Sequence, residues 1–171
     1  EQETAVNIVA GAGLNITSEN GVQKVVPNTA ITNIIVEAVD GYFLPDGYED
    51  GIQGLNGLTV TNITKNGFTI LGTPVSDVNI TLPPATKAVY SMLLSGDGTF
   101  TGTCVGYQPI NAKEFTITNS GNVDLENVDI SITGTDKDKF ELSGDGTTTI
   151  QPNDTLKVAV APKDSLATGI Y

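Results

Sequence analysis

The chain has 171 residues and a formal net charge of −12, from 20 acidic and 8 basic residues, with no His and one Cys. Every basic residue is Lys, so nucleic acid is excluded as a partner: the chain repels phosphate and lacks the guanidinium fork that grips it. Without His, Ser-His-Asp, Cys-His and zinc chemistry are excluded, and no apolar stretch is long enough to insert this chain into a membrane.

The first half shows short runs in which apolar and polar residues alternate, as half-buried antiparallel strands require. Turn residues separate the runs. Asn66-Gly67 stands between two of them and predicts a hairpin turn, because both residues tolerate positive φ. The apolar positions that we expect to face the core are Leu14, Ile16, Val22 to Val26, Ile34, Val36, Ala38, Leu58, Val60, Phe68, Ile70, Val78, Ile80 and Leu82.

Residues 41–57, GYFLPDGYEDGIQGLNG, break this alternation and form the main irregular loop. A short helical turn fits after Pro45, whereas the glycines disfavour a long helix. The loop combines aromatic residues with carboxylates, the composition of a sugar-binding or calcium-binding site. Its ligand-binding candidates are Tyr42, Phe43, Asp46, Tyr48, Glu49 and Asp50. A solvated loop with buried aromatics is the alternative interpretation, and a single loop does not define the facing carboxylate pair of a glycosidase.

Two prolines in LPPATKA, residues 82–88, cannot donate to a β-ladder and indicate a boundary. The sequence therefore predicts two small β modules in series, residues 1–86 and 87–171, and an all-β fold class.

The second half offers strands at the short, even spacing of a β-sandwich. One of them, TFTGTCVGY, contains Cys104, which we interpret as a small buried apolar residue. Further strands are predicted in LENVDISIT and TTTIQP. The expected core residues are Phe115, Ile117, Val128, Ile130, Ile132, Phe140, Leu142, Leu156, Val158 and Val160.

The other carboxylates of the second half carry weak patterns. Asp136 and Asp138 have the alternate spacing of a calcium loop, but Lys residues follow each of them and the glycine and closing glutamate of an EF-hand are missing. Asp97 and Asp145 each lie in SGDG, a turn sequence. We therefore predict no catalytic residues, no metal and no cofactor.

Residues from about 98 to 171 resemble the immunoglobulin-like modules of bacterial surface proteins, of the abnormal-spindle and hydin type. The resemblance is carried by KEFTITNSGNVDLENVDISITGTDKDKFELSG and by IQPNDTLKVAVAPKDSLATGIY. In the first of these, Asn119, Gly121 and Asn122 form a tight turn whose side chains tolerate the left-handed conformation and bond their own backbone. It implies an immunoglobulin-like sandwich, and the chain stops where such a module needs its last strand. We expect the open C-terminal edge to pair with a strand of another chain or to be covered by residues 163–171.

Residues 41–83 resemble a module that accompanies such domains in surface proteins of Gram-positive gut bacteria, and the resemblance extends to a β module over about 1–86. Together the two resemblances imply a secreted or surface-attached bacterial protein with repeated domains. The expected function is a non-catalytic stalk, spacer or adhesive module with a protein or glycan ligand. A carbohydrate-binding module attached to an extracellular enzyme is the alternative.

Overall fold

A computed structural model describes residues 2–18, 21–102, 109–144, 146, 148–164 and 166. The chain divides into two compact units, Glu1–Ala88 and Val89–Tyr171. The predicted all-β fold is confirmed, and several separate sheets are present, as β-sandwich modules require. Within the described residues, no helix is long and apolar enough to cross a membrane.

Unit 1 is built from short strands joined by turns that contain Gly, Asn or Pro. A 3-10 turn at Tyr48–Gly51 follows Pro45, where the sequence predicted a short helical turn. The strands are β1 (Thr4–Val9), β2 (Leu14–Ile16), β3 (Val22–Val25), β4 (Ile34–Ala38), β5 (Tyr42–Phe43), β6 (Leu58–Thr64), β7 (Gly67–Gly72), β8 (Val78–Thr81) and β9 (Thr86–Lys87).

Two sheets of unit 1 share one apolar core. One sheet has the order β3-β1-β8 and the other β2-β4-β7-β6, while β5 pairs separately with β9. The alternation predicted from sequence holds in β4 and β8, where every second residue is buried. Strand β1 buries Val6 and Ile8 in the same way, although the sequence analysis did not predict this strand. The buried residues include Val6, Ile8, Leu14, Ile34, Val36, Leu58, Phe68, Ile70, Val78, Ile80 and Leu82. Val22 on the edge strand β3 and Val26 just after it are exposed, in contrast to the prediction that they face the core.

The predicted hairpin between β6 and β7 is confirmed, but its turn lies one residue earlier than expected. Thr64 pairs with Gly67, so Lys65 and Asn66 form the connection. Asn66 is not among the residues with positive φ. Gly67 begins β7 and is required there because a Cβ would lie 2.3 Å from the backbone oxygen of Val36 in β4. Close strand packing, and not turn twist, explains this glycine.

Unit 2 contains β10 (Met92–Gly96), β11 (Lys113–Asn119), a 3-10 turn at Lys137–Lys139, β12 (Phe140–Gly144) and β13 (Thr155–Pro162). These strands form one antiparallel sheet with the order β10-β11-β13-β12. Its buried core residues are Ile117, Ile150, Leu156 and Val158, with Phe115, Leu125, Val128 and Ile130 packed against them. Of the other predicted core residues, Ile132, Phe140 and Val160 are half-buried and Leu142 is exposed.

The strands predicted in LENVDISIT and TTTIQP are wrong as continuous strands. The two segments meet in a single antiparallel bridge between Leu125 and Ile150, followed by a hydrogen bond from the Val128 amide to Thr148. Asn127 adopts φ 54°, a left-handed conformation that interrupts extended backbone. The apolar residues Leu125, Val128 and Ile130 therefore pack against the core from an irregular segment and not from a strand.

The Asn119–Asn122 turn confirms part of the sequence interpretation. The Asn119 side chain accepts a hydrogen bond from the Gly121 amide at 2.9 Å. None of Asn119, Gly121 and Asn122 has positive φ, so the left-handed explanation is wrong. Gly121 is needed because a Cβ there would lie 2.2 Å from the backbone oxygen of Val89. Asn119 is fully buried, in contrast to an ordinary turn residue.

The last described strand, β13, is paired on both sides, with β11 and with β12. The edges of the described sheet are instead β10 and β12. Most of the C-terminal segment on which the predicted open edge depends lies outside the described residues. So do Asp145 and Cys104, and with Cys104 most of the strand predicted in TFTGTCVGY.

Candidate functional site

Tyr48 in the irregular loop is a packing residue. Its ring is buried 5.7 Å from the ring of Phe68, measured between centroids, and its hydroxyl donates to the backbone oxygen of Pro83. Burial raises the pKa of Tyr48 to about 12. This side chain ties the loop to the end of unit 1 and leaves no aromatic face for a sugar.

Tyr42 and Phe43 form β5 and pair with Lys87 and Thr86, respectively, of β9. Both aromatic side chains are half-buried, and Tyr42 packs against the core of unit 1. The pairing holds the chain in unit 1 up to Ala88, whose amide donates to Gly41. Unit 1 therefore continues slightly past the predicted boundary at residue 86.

The loop carboxylates Asp46, Glu49 and Asp50 are all exposed. Within the described parts of the chain, no group of three or more Asp, Glu, His or Cys side chains could hold a metal ion. The loop thus brings the aromatic candidates into the fold and leaves the acidic candidates in solvent. It does not assemble the six candidates into one site.

The remaining acidic candidates lie in turns. The Asp97 carboxylate accepts the Thr99 amide at 2.9 Å, and this backbone hydrogen bond lowers the pKa of Asp97. Asp136 directly precedes the 3-10 turn of unit 2, and Asp138 lies exposed within it. These positions are typical of structural turns.

A parallel pair of strands joins the beginning and the end of unit 1. Strand β1 pairs with β8 over four consecutive residues, from Val6 opposite Val78 to Val9 opposite Thr81. Parallel pairing is unusual in a fold made of hairpins, because it needs a long connection between its strands. In unit 1 that connection is most of the unit.

Polar side chains reinforce this strand pair on its solvent side. The Asp77 carboxylate accepts the Ala5 backbone amide at 2.8 Å, and the Asn7 side-chain amide donates to the Asn79 side-chain oxygen at 2.9 Å. On the opposite face Val6, Ile8, Val78 and Ile80 are buried in the core. We call strands β1 and β8, with the polar and the buried side chains just named, the terminal clamp. Long-range parallel pairing leaves no local sequence signature, so the clamp could not be found from the sequence.

An exposed apolar strand marks the edge of unit 2. Met92, Leu93 and Leu94 in β10 have 68%, 61% and 63% of their surfaces exposed, and Tyr90 just before them has 71%. Three consecutive exposed apolar residues are uncommon on a soluble protein. The sequence contained a signal, because Met92-Leu93-Leu94 departs from the alternation of the other strands.

No family model, curated protein or solved structure matches the chain. The family resemblances and the functions they imply therefore stay predictions.

Proposed function

We propose that the chain is a non-catalytic pair of modules from a bacterial surface protein and that it acts as a spacer that resists tension. The terminal clamp of unit 1 is the observation that supports this proposal most. A stalk must remain folded when it is pulled along the polypeptide, and resistance depends on how the first and last strands are joined.

In the terminal clamp, the pulling directions oppose one another along parallel strands. The chain enters β1 beside Val78 and leaves β8 beside Val9. Once the two-residue β5–β9 pair has opened, tension on the two ends therefore slides β1 along β8 and loads the hydrogen bonds between them at the same time. In an antiparallel hairpin pulled from its open end, the bonds break one after another. Sliding requires the larger force because several bonds must break in one step.

Unit 2 has a related arrangement. The chain enters β10 at Met92, opposite Asn119, and leaves β13 near Val160, opposite Lys113. These two points lie at opposite ends of β11. Tension along the chain therefore slides β10 and β13 along β11, over ladders of five and six residue pairs, respectively.

No unbonded residue separates the last hydrogen bond of unit 1 from the first of unit 2. The Ala88 amide donates to Gly41, and the Val89 amide donates to the side chain of Asn122 at 2.7 Å. The sequence at the boundary, KAVYS at 87–91, contains no Gly/Ser-rich segment of the flexible-linker type.

Variants of the terminal clamp test this proposal. We expect Asp77→Ala combined with Asn79→Ala to shorten the lifetime of unit 1 under constant force, because both side chains bond across the sliding strands. Asp77→Asn alone should retain the wild-type lifetime, since its side-chain oxygen can still accept the Ala5 amide.

Gln23→Ala is the matched control. The Gln23 side chain makes two exposed hydrogen bonds to Thr32, at 2.8 and 2.9 Å, outside the clamp. Without force, Gln23→Ala and the double clamp variant should lower the free energy of unfolding by similar amounts, because each removes two hydrogen bonds at about 1 kcal/mol for each bond. Equal lifetimes under force for the control and the clamp variant would contradict a mechanical role.

A further inference from the structure

Strand β10 has an unusual surface for a sheet edge. Among the described residues it pairs only with β11. No charged residue occurs from Ala88 to Gly96, although the whole chain carries a net charge of −12. Exposed, uncharged edges are prone to pair with another strand, and natural proteins usually block them.

Three of the other sheet edges carry such blocking features. Strand β3 has Lys24, and β12 has Glu141. Strand β6 is interrupted by a register shift between Thr61 and Thr64, where Asn62 has φ 53°. A charge or a bulge disfavours pairing with a new strand. Strand β10 has neither feature.

Hydrogen bonds to β11 fix which backbone groups of β10 face outward. The Ser120 amide donates to Ser91, and the Asn122 amide donates to Val89. Because bonded pairs alternate in an antiparallel ladder, Leu93 and Ser95 also direct their backbone groups toward β11. The amides and carbonyls of Met92, Leu94 and Gly96 therefore point to the open edge.

We propose that β10 pairs with β10 of a second copy of this chain, antiparallel and about a two-fold axis at Leu93. This inference does not depend on the spacer function. In this register Met92 lies opposite Leu94 of the second copy, and Tyr90 lies opposite Gly96 of the second copy. All of these residues present outward backbone groups, so each pair can form ladder hydrogen bonds.

The side chains match in the same register. Met92 and Leu94 lie on the sheet face that also carries Asn119 and Ile117, their respective partners in β11. Both Met92 and Leu94 are exposed on this face. Pairing places Met92 and Leu94 of both copies side by side on that face. On the other face, Leu93 meets its own copy. Because the strand is uncharged, this contact places no like charges opposite each other. Self-pairing of β3 would bring two copies of Lys24 close together, and self-pairing of β12 would do the same with Glu141.

A two-fold contact uses the edge of each copy once, so it closes as a dimer and does not extend to a fibre. The contact is small, below about 1,000 Å², so the dimer should be weak and concentration-dependent. Since both copies are strongly acidic, added salt should strengthen association by screening their repulsion. A basic peptide bound to the same edge would show the opposite dependence.

Sedimentation equilibrium of the full chain over a concentration series tests the proposal. We expect a monomer–dimer equilibrium, and we expect Leu94→Lys to raise the dissociation constant at least tenfold. Leu142→Lys, which changes an exposed leucine in β12 at the other edge, should leave the constant unchanged. Met92→Pro removes an outward amide that β11 does not use, so it should also abolish the dimer while the fold is retained.

Hydrogen exchange separates the remaining outcomes. The Met92 and Leu94 amides should exchange more slowly at high protein concentration than at low concentration. A chain that remains monomeric at all concentrations would overturn the proposal. Protection of these amides already in the monomer would also overturn it, because another segment of the same chain would then cover the edge. A dimer that survives both Leu94→Lys and Met92→Pro would show that the contact lies elsewhere.

Discussion

Replacing Asn119 by Leu should destabilise unit 2 more than any exposed substitution. The buried Asn119 side chain donates to the carbonyls of Val123 and Ile150, each at 2.8 Å, and accepts the Gly121 amide at 2.9 Å. Leucine has a similar size, so little space changes. The Val123 carbonyl and the Gly121 amide would lose this partner, whereas the Ile150 carbonyl would keep only the Leu125 amide, at 3.0 Å. The Ile150 bond is buried, and the other two are partly buried.

The expected cost follows from that difference in burial. An orphaned, buried backbone group costs about 1–3 kcal/mol, and a partly buried group recovers part of this from water. Two partly buried groups are orphaned, and one carbonyl loses one of its two partners, so we expect a total of about 2 kcal/mol. That is a large share of the roughly 5–15 kcal/mol that stabilises a typical domain. The described core of unit 2 has four buried apolar residues, so the loss should be easy to detect.

Urea unfolding, monitored by peptide-resolved hydrogen exchange, measures this cost for each unit separately. Asn111→Leu serves as the control, because Asn111 is exposed in the same unit. Unit 1 should unfold at an unchanged urea concentration in both variants. If Asn119→Leu lowers the free energy of unfolding of unit 2 by less than about 0.5 kcal/mol, the range of ordinary surface changes, the role assigned to Asn119 is wrong.

Asn119→Asp refines the same test through pH. Its carboxylate would face the carbonyl oxygens of Val123 and Ile150, so the pKa in the folded state should rise above the unfolded value of about 3.9. An acid with a raised folded pKa loses stability as the pH increases above its unfolded pKa. The stability gap between Asn119→Asp and wild type should therefore widen as the pH increases from about 3 to 7. A gap that is constant or that narrows would contradict the role of Asn119 as hydrogen-bond donor to these two carbonyls.

Two further predictions concern unit 1. Tyr48→Phe should cost about 1 kcal/mol by removing the bond to Pro83 while the buried ring is kept. Burial raises the pKa of Tyr48 to about 12, so wild-type unit 1 should lose stability as the pH increases above the unfolded pKa of about 10. The Phe variant should lack this part of the loss. Parallel urea titrations at about pH 8 and about pH 11 measure both effects. Gly67→Ala should destabilise unit 1 by more than about 2 kcal/mol, since its Cβ would lie 2.3 Å from the Val36 oxygen. Gly54→Ala, where a Cβ meets no atom within 4 Å, provides the comparison for the strain of a positive φ alone, and equal losses in the thermal melts of the two variants would show that the close contact is not the cause.

Local pattern predicted strands β2 to β4 and β6 to β8 of unit 1, because alternation reports directly on which side of a sheet is buried, but it did not predict β1, β5 or β9. The hairpin of β6 and β7 and the short turn at Tyr48–Gly51 were also predictable, since their signals lie within a few residues. Sequence could not show why Gly67 and Gly121 are needed. A Cβ at Gly67 or Gly121 would collide with a backbone oxygen that is distant in the sequence, that of Val36 or Val89, respectively.

Tertiary contacts decided the features that sequence missed. The residue type of Asn119 predicted a tight turn but not its burial, which the hydrogen bonds to Val123 and Ile150 make possible. Of the candidate ligand site, the sequence predicted the loop but not the division between its buried Tyr48 and its exposed carboxylates. For the exposed edge at β10, the sequence signal was limited to three consecutive apolar residues, Met92 to Leu94, and apolar residue type alone does not distinguish an exposed edge from a core.

Forced unfolding of unit 1 in two pulling directions is the direct test of the spacer function. Handles on residues 1 and 88 slide β1 along β8, whereas handles on residues 1 and 26 peel β3 from β1, because Thr4 lies opposite Val25 at the end that is pulled. A Cys104→Ser background leaves only the introduced thiols for attachment. Unfolding through residues 1 and 88 is recognised by a gain in length of up to about 300 Å, at about 3.4 Å per residue.

We expect a higher rupture force through residues 1 and 88 than through residues 1 and 26 at the same loading rate. Forced unfolding reports the barrier to unfolding, so the comparison isolates the direction of pulling in one and the same fold. Rupture at an equal or lower force through residues 1 and 88 would contradict the claim that the terminal clamp equips this chain to resist tension.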